Sequence, residues 1–112
     1  MATSHGLTRD GRSEARIHVR ILAKLRWFDG VLGVVVDNLS SRGAMLRGAD
    51  LPVDGTEVVL DVAGFEIVAT VAWNNPPYCG LSFHRAIDAD ALRERSRAGA
   101  RESRRAGAVT VQ

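Results

Sequence analysis

The feature that most limits what this chain can fold into is a stretch of strict alternation that begins at Ile17. Ile17, Val19, Ile21, Ala23, Leu25 and Trp27 share one parity. His18, Arg20, Lys24 and Arg26 take the other, and only Leu22 is out of place. A two-residue period puts the first set on one face of a β-strand and the second on the opposite face. Asp29-Gly30 then reads as a turn, and the pattern of a short β-rich run closed by turn residues recurs to the end of the strand region. The predicted strands are 17–27, 31–37, 43–48, 56–62, 65–74 and 79–84. The breaks between them hold Ser40-Ser41-Arg42-Gly43, Pro52-Val53-Asp54-Gly55, Ala63-Gly64 and Asn74-Asn75-Pro76-Pro77. A helix is predicted next, near 88–98. Asp88 is placed to cap it, Ile87 and Leu92 to form a hydrophobic staple across its start, and Asp90 to meet the dipole in the first turn.

Strands and helices do not alternate, so a parallel sheet with crossover helices is disfavoured. Six short strands with polar outer faces predict an all-β domain with one C-terminal helix, the strands closing into a six-stranded antiparallel β-barrel. The expected core is Ile17, Val19, Ile21, Leu25, Val58, Leu60, Ile67, Val71, Trp73, Leu81 and Phe83, with Leu92 packing the helix on the barrel. At 112 residues the chain is one domain. Its expected parts are a flexible N-terminal arm (1–11), the barrel with its helix (12–98) and a basic, disordered tail (99–112).

Charge distribution says more than net charge, which is only +2. Residues 1–20 hold four Arg against two acids, residues 21–92 five basic residues against nine acids, and residues 93–112 six Arg against two Glu. An acidic body between two basic ends argues against a nucleic-acid-binding barrel, whose folded face is itself basic. An aromatic content of 5% leaves little for base-stacking platforms. The basic ends read instead as arms able to fold over an anion. The single cysteine, Cys79, excludes an intramolecular disulfide and fits a reducing compartment. With no signal-like segment and no apolar run of membrane length, the expectation is a cytoplasmic protein without membrane insertion.

Catalytic chemistry has no foothold in these residues. His5, His18 and His84 lack ligand-type neighbours at metal-binding spacing, Cys79 lacks an activating base, and no Walker-type phosphate loop is present. The expectation is a non-enzyme with neither metal nor cofactor.

Two motifs remain. Arg12, Arg16 and Arg20 are spaced four apart at the start of strand one, and Asn38-Leu39-Ser40-Ser41-Arg42-Gly43 comes after strand two. Taken alone, the first is a set of solvated charges and the second a turn in which Asn and Ser bond their own backbone. Together and in this order they resemble the PilZ domain family, marked by Arg-x-x-x-Arg and, some way downstream, Asp/Asn-x-Ser-x-x-Gly. Ala69-Thr70-Val71-Ala72-Trp73 and Gly80-Leu81-Ser82-Phe83 look like the strand pair that closes such barrels, and the resemblance spans Arg12 to Leu92. It departs from the pattern in two places: Asn38 stands where Asp is commoner, and Gly11 where a further Arg is frequent.

The resemblance implies a bacterial receptor for cyclic di-GMP, a second messenger with two guanines and two phosphates, signalling through an unidentified downstream protein. The implied ligand-binding residues are Arg12, Arg16, Asn38, Ser40 and Gly43, with Arg16/Arg20 as the alternative frame of the arginine pair. Arg12/Arg16 is preferred because Arg16 abuts the first apolar residue of strand one. The residue types suit the chemistry. An arginine fork can bond guanine O6 and N7 or phosphate, and can stack on a base. Asn38 and Ser40 share a parity that lets both project outward, and Gly43 would permit a positive φ and close approach of a base to the backbone. The alternative is a PilZ-like protein-interaction module that works without nucleotide.

Overall fold

A computed structural model describes residues 16–98. These form six strands: β1 (Ile17–Trp27), β2 (Gly30–Leu39), β3 (Gly43–Arg47), β4 (Glu57–Val62), β5 (Phe65–Asn75) and β6 (Tyr78–Phe83). A helix, α1, runs over 89–98. The expected arm, Arg12 and the expected tail lie outside the described residues. Every pairing is antiparallel, and the strands close in the order β1-β2-β3-β6-β5-β4, with β4 returning to β1 through Lys24↔Asp61, Leu25↔Leu60 and Arg26↔Val59. The barrel predicted from the alternation is the barrel observed, with strand ends displaced by at most a few residues.

Alternation delivers the core. Leu25, Val36, Leu39, Leu46, Leu60, Val71 and Cys79 point inward and are almost fully buried, surrounded by Ile21, Val34, Val58, Val62, Ile67, Ala69, Leu81 and Phe83. Ile17 and Val19 are only partly buried against the core. Leu92 of α1 is buried in it. The helix starts as its sequence predicts: the Asp88 carboxylate accepts from the Ala91 N–H at 3.0 Å, and Ile87 packs on the core beside it. The Ile87 N–H also donates to the Ser41 carbonyl at 2.8 Å, so the lead into the helix is tied to the β2–β3 turn.

Trp73, expected in the core, is 41% exposed. The reason is a β-bulge. On β5, Val71 pairs with Leu81 but Trp73 pairs with Gly80, leaving Ala72 as an extra residue. One extra residue reverses the parity of every position after it. Trp73 therefore turns to the outer face and lies against Gly80, at a spot where any Cβ on residue 80 would run into the indole. A large aromatic on one strand thus covers the bare backbone of its neighbour.

Candidate functional site on the outer face of the barrel

A second bulge creates the candidate site. Between β2 and β3, Val36 pairs with Leu46, whereas Asn38 pairs with Met45, so Asp37 is the unpaired extra residue. Unbroken alternation would send Val34, Val36 and Asn38 to the same side; the bulge instead keeps Val36 and Leu39 in the core and sends Asn38 outward. On the neighbouring pair, His18 stands opposite Asn38 and the register shifts between His18 and Ile21, so β1 shares the same irregularity.

The two bulges bring distant sequence positions into one transverse row on the outer wall. His18 pairs with Asn38, Asn38 with Met45, Met45 with Gly80, and Gly80 with Trp73. Four inter-strand spacings make this row about 19 Å long. Arg16 joins it at the β1 end: its Nη1 donates to Asn38 Oδ1 at 2.9 Å across 22 positions of sequence. That bond uses one of the five donors on the guanidinium. Among the described residues, the arginine motif and the Asn-x-Ser-x-x-Gly motif therefore meet directly, through Arg16 and Asn38. Arg20 takes a different position, close enough to Asp37 for its charge to help lower that carboxyl's pKa.

Asn38 and Ser40 are more enclosed than free outward projection would make them, at 8% and 7% exposure. Asn38 is covered by Arg16 and also places Nδ2 3.9 Å from Met45 Sδ. Ser40 Oγ accepts from the Arg42 and Gly43 N–H groups at 3.3 and 3.2 Å, and lies 3.3 Å from the Gly43 carbonyl, to which it can donate. Its hydroxyl thus stitches the β2–β3 turn. Gly43 is not a positive-φ position; among the described glycines those are Gly30, Gly55 and Gly64. Its requirement is packing: a Cβ there would strike the Leu81 carbonyl of β6. The glycine of the motif lets β3 approach β6, a different use from the one expected.

Asp37 and Arg47 flank the row. Arg47 Nε donates to Asp37 Oδ2 at 2.8 Å and Nη2 to Oδ1 at 3.0 Å, a two-pronged fork. The hydrogen bond from Arg47 holds the Asp37 carboxyl below its ordinary range, overcoming the opposing effect of burial. Met45, the outward Trp73 and this pair are the features that residue patterns did not reveal. The trace they leave is spacing: buried Val36 and Leu39 lie three apart, where unbroken alternation allows two or four.

The row lies on the outer wall of the barrel. Concavities of about 830 and 820 Å³ occur elsewhere, one lined by Trp27, Phe28, Val53 and Val68, the other by Leu22, Lys24 and Phe65 among others. His84 belongs to a separate outer cluster, with Nε2 2.9 Å from Thr70 Oγ1 and 3.3 Å from Glu57 Oε1. Cys79 is fully buried and its thiol pKa is pushed up to about 11 by burial, the opposite of what a nucleophile needs. Among the described residues, no group of three or more His, Cys, Asp or Glu is placed to hold a metal, and no helix is long and apolar enough to cross a membrane.

The model of the PilZ domain family matches residues 10–98. The chain belongs to the PilZ family. Solved structures agree on the fold. One is the PilZ domain of CeSA from a cellulose-synthesising bacterium, 21% identical over 73% of this chain and 90% of that one, with a TM-score of 0.51. Another is the Bacillus subtilis inhibitor of motility MotI/DgrA, 14% identical over 83% of this chain and 53% of that one, with a TM-score of 0.54. No curated protein matches the chain by sequence.

Proposed function

We propose that this PilZ domain is a receptor for cyclic di-GMP that changes its surface on binding and signals through a partner protein. The observation that carries this reading is the hydrogen bond from Arg16 to Asn38, which joins the two motifs of the family on one face of the barrel. Arg16 is exposed and keeps donors for a ligand. Its neighbour on the row is an uncharged amide, so a dianionic ligand meets a guanidinium whose charge Asn38 does not cancel. The amide can turn a donor and an acceptor to a guanine edge.

The row's position on the outer wall fits an arm that closes over the ligand. The wall offers one side of a site, and Arg12, four residues before Arg16, can supply part of the other. Charge-assisted hydrogen bonds of about 1.5–3 kcal/mol each can order the few residues around two arginines against a backbone entropy of about 1–2 kcal/mol per residue. The ordered arm then forms a new surface for a partner to read.

Calorimetry tests this directly. The protein should release or absorb heat with cyclic di-GMP and not with GTP or cyclic mononucleotides. Arg16→Ala and Arg12→Ala should each weaken binding by about one to two powers of ten and leave unfolding unchanged. Arg20→Ala is the control; if it abolishes binding while Arg12→Ala does nothing, the arginine pair is Arg16/Arg20. If the wild-type protein gives no heat, the nucleotide-independent interaction module replaces the receptor.

A further inference from the structure

We propose that Asp37 and Arg47 are positioning residues for the ligand face: their fork fixes the site of the β2 bulge and so holds the Asn38 amide outward beside Arg16. This inference rests on the receptor reading for its consequence, but its structural half can be measured without ligand.

Hydrophobic burial leaves one choice open in β2. Val36 and Leu39 are both fully buried, and their partners Leu46 and Ala44 are also buried. Burial therefore fixes both ends of a three-residue step. Between them, Asp37 and Asn38 compete for the single outward slot opposite Met45. In the observed arrangement Asn38 occupies that slot and Asp37 is the unpaired residue. If Asp37 took the slot, the core would be identical, Asn38 would become the bulge, and its amide would leave the position opposite His18 and under Arg16.

Something other than the core must choose, and the fork is placed to do so. Arg47 stands opposite Val35, on the side of Asp37 away from Asn38. Its two hydrogen bonds, at 2.8 and 3.0 Å, draw the Asp37 carboxylate toward residue 35 and away from the slot at Met45. A planar guanidinium meeting both carboxylate oxygens fixes direction as well as distance. Asp37 lies before the Asn-x-Ser-x-x-Gly motif and Arg47 after it, so the pair brackets the motif and acts on the ligand face through Asn38.

Two measurements on the same variants test the proposal at neutral pH. The first is cross-strand nuclear Overhauser contacts in the free protein. Wild type should show Asn38 against Met45 and against His18. Asp37→Ala, Arg47→Ala and Arg47→Lys should lose or average these contacts and keep Val36 against Leu46 and Leu39 against Ala44. The second is calorimetry with cyclic di-GMP. Each single alanine variant should bind about tenfold more weakly, and the double variant no more weakly than either single one. A slight shift in melting temperature with intact Asn38–Met45 contacts would mark the fork as merely structural and overturn the proposal. So would a loss of affinity in Arg47→Ala that Asp37→Ala does not share, since Arg47 would then be touching ligand itself. If the wild type does not bind cyclic di-GMP, the receptor reading falls, and the Overhauser contacts alone decide whether the fork places Asn38.

Discussion

The β4–β5 hairpin and the β2–β3 pair are built from similar residues and do different things. In β4–β5 six consecutive pairs, from Glu57↔Thr70 to Val62↔Phe65, run without a break. The inner face is Val58, Leu60, Val62, Ile67 and Ala69, and the outer face carries Val59 and Val68 beside charged residues, with Arg26 of β1 bonded to both Asp61 and Glu66. In β2–β3 the ladder slips at Asp37, and a polar residue near the slip is turned outward and then covered. Unbroken pairing produces a core and a solvated exterior whose ions satisfy one another. A single extra residue produces a place where a buried polar group meets the surface. The contrast teaches that regular pairing in this barrel builds the core, and that its interruptions turn outward residues that alternation would bury, Asn38 in β2 and Trp73 in β5.

The most severe test of that division is Leu60→Ala. Leu60 is fully buried in the regular half, so the variant should lose about 2–5 kcal/mol in denaturant unfolding. Ligand affinity of the fraction that remains folded should be unchanged. An affinity loss matching that of Arg16→Ala would show that the two halves are not separable.

Gly43→Ala should act on both properties. A methyl there meets the Leu81 carbonyl, which is backbone and cannot swing aside. Overpacking of this kind costs about 1–3 kcal/mol. Because Gly43 also closes the turn that Ser40 stitches, affinity should fall too. A neutral result in unfolding would mean that β3 and β6 have room to spare.

The smallest expected effect asks whether the bulged half is as dry inside as the regular one. Cys79 pairs with Leu46 and Asn74, directly behind the row. Burial raises its thiol pKa from 9.0 to about 11. A raised folded-state pKa contributes stability that is complete below the unfolded thiol's pKa and is lost as pH rises through the folded value. Stability of wild type relative to Cys79→Ala should therefore be constant up to about pH 8.5 and decline between about pH 9 and 11. Rapid alkylation of the native thiol near neutral pH would show that water reaches the interior behind the row.

How much of this is legible in the residues depends on which forces leave a periodic trace. Strand boundaries, the barrel, the helix cap at Asp88 and most of the core are legible, because burial imposes period two on apolar residues and capping imposes a residue type at a position. Trp73 defeats the pattern because the bulge at Ala72 sits inside an otherwise perfect run, Phe65, Ile67, Ala69, Val71, Trp73, and nothing in that run marks the slip. The candidate site is legible in its members Arg16 and Asn38 through family resemblance, and their contact is borne by the fold. Ser40 does what its local pattern alone predicts, bonding the backbone of its own turn, whereas the motif does not supply the packing role of Gly43. Whether a neighbouring strand passes within reach of a missing Cβ is a tertiary fact. Asp37 and Arg47 are invisible at this level, since a charged pair ten residues apart across a turn resembles any other solvated pair.

Closure of the barrel constrains how a partner could approach this domain. Each of the six described strands has a hydrogen-bonded neighbour on both sides, so none is a free edge along its whole length, and the unpaired stretches are partial ones such as β1 ahead of Lys24, where β1 and β4 pair only over Lys24, Leu25 and Arg26. A partner adding a strand of its own would have only such short stretches to extend. Recognition of the described barrel would then draw chiefly on side chains and shape. The same closure shortens the template on which identical barrels could stack edge to edge.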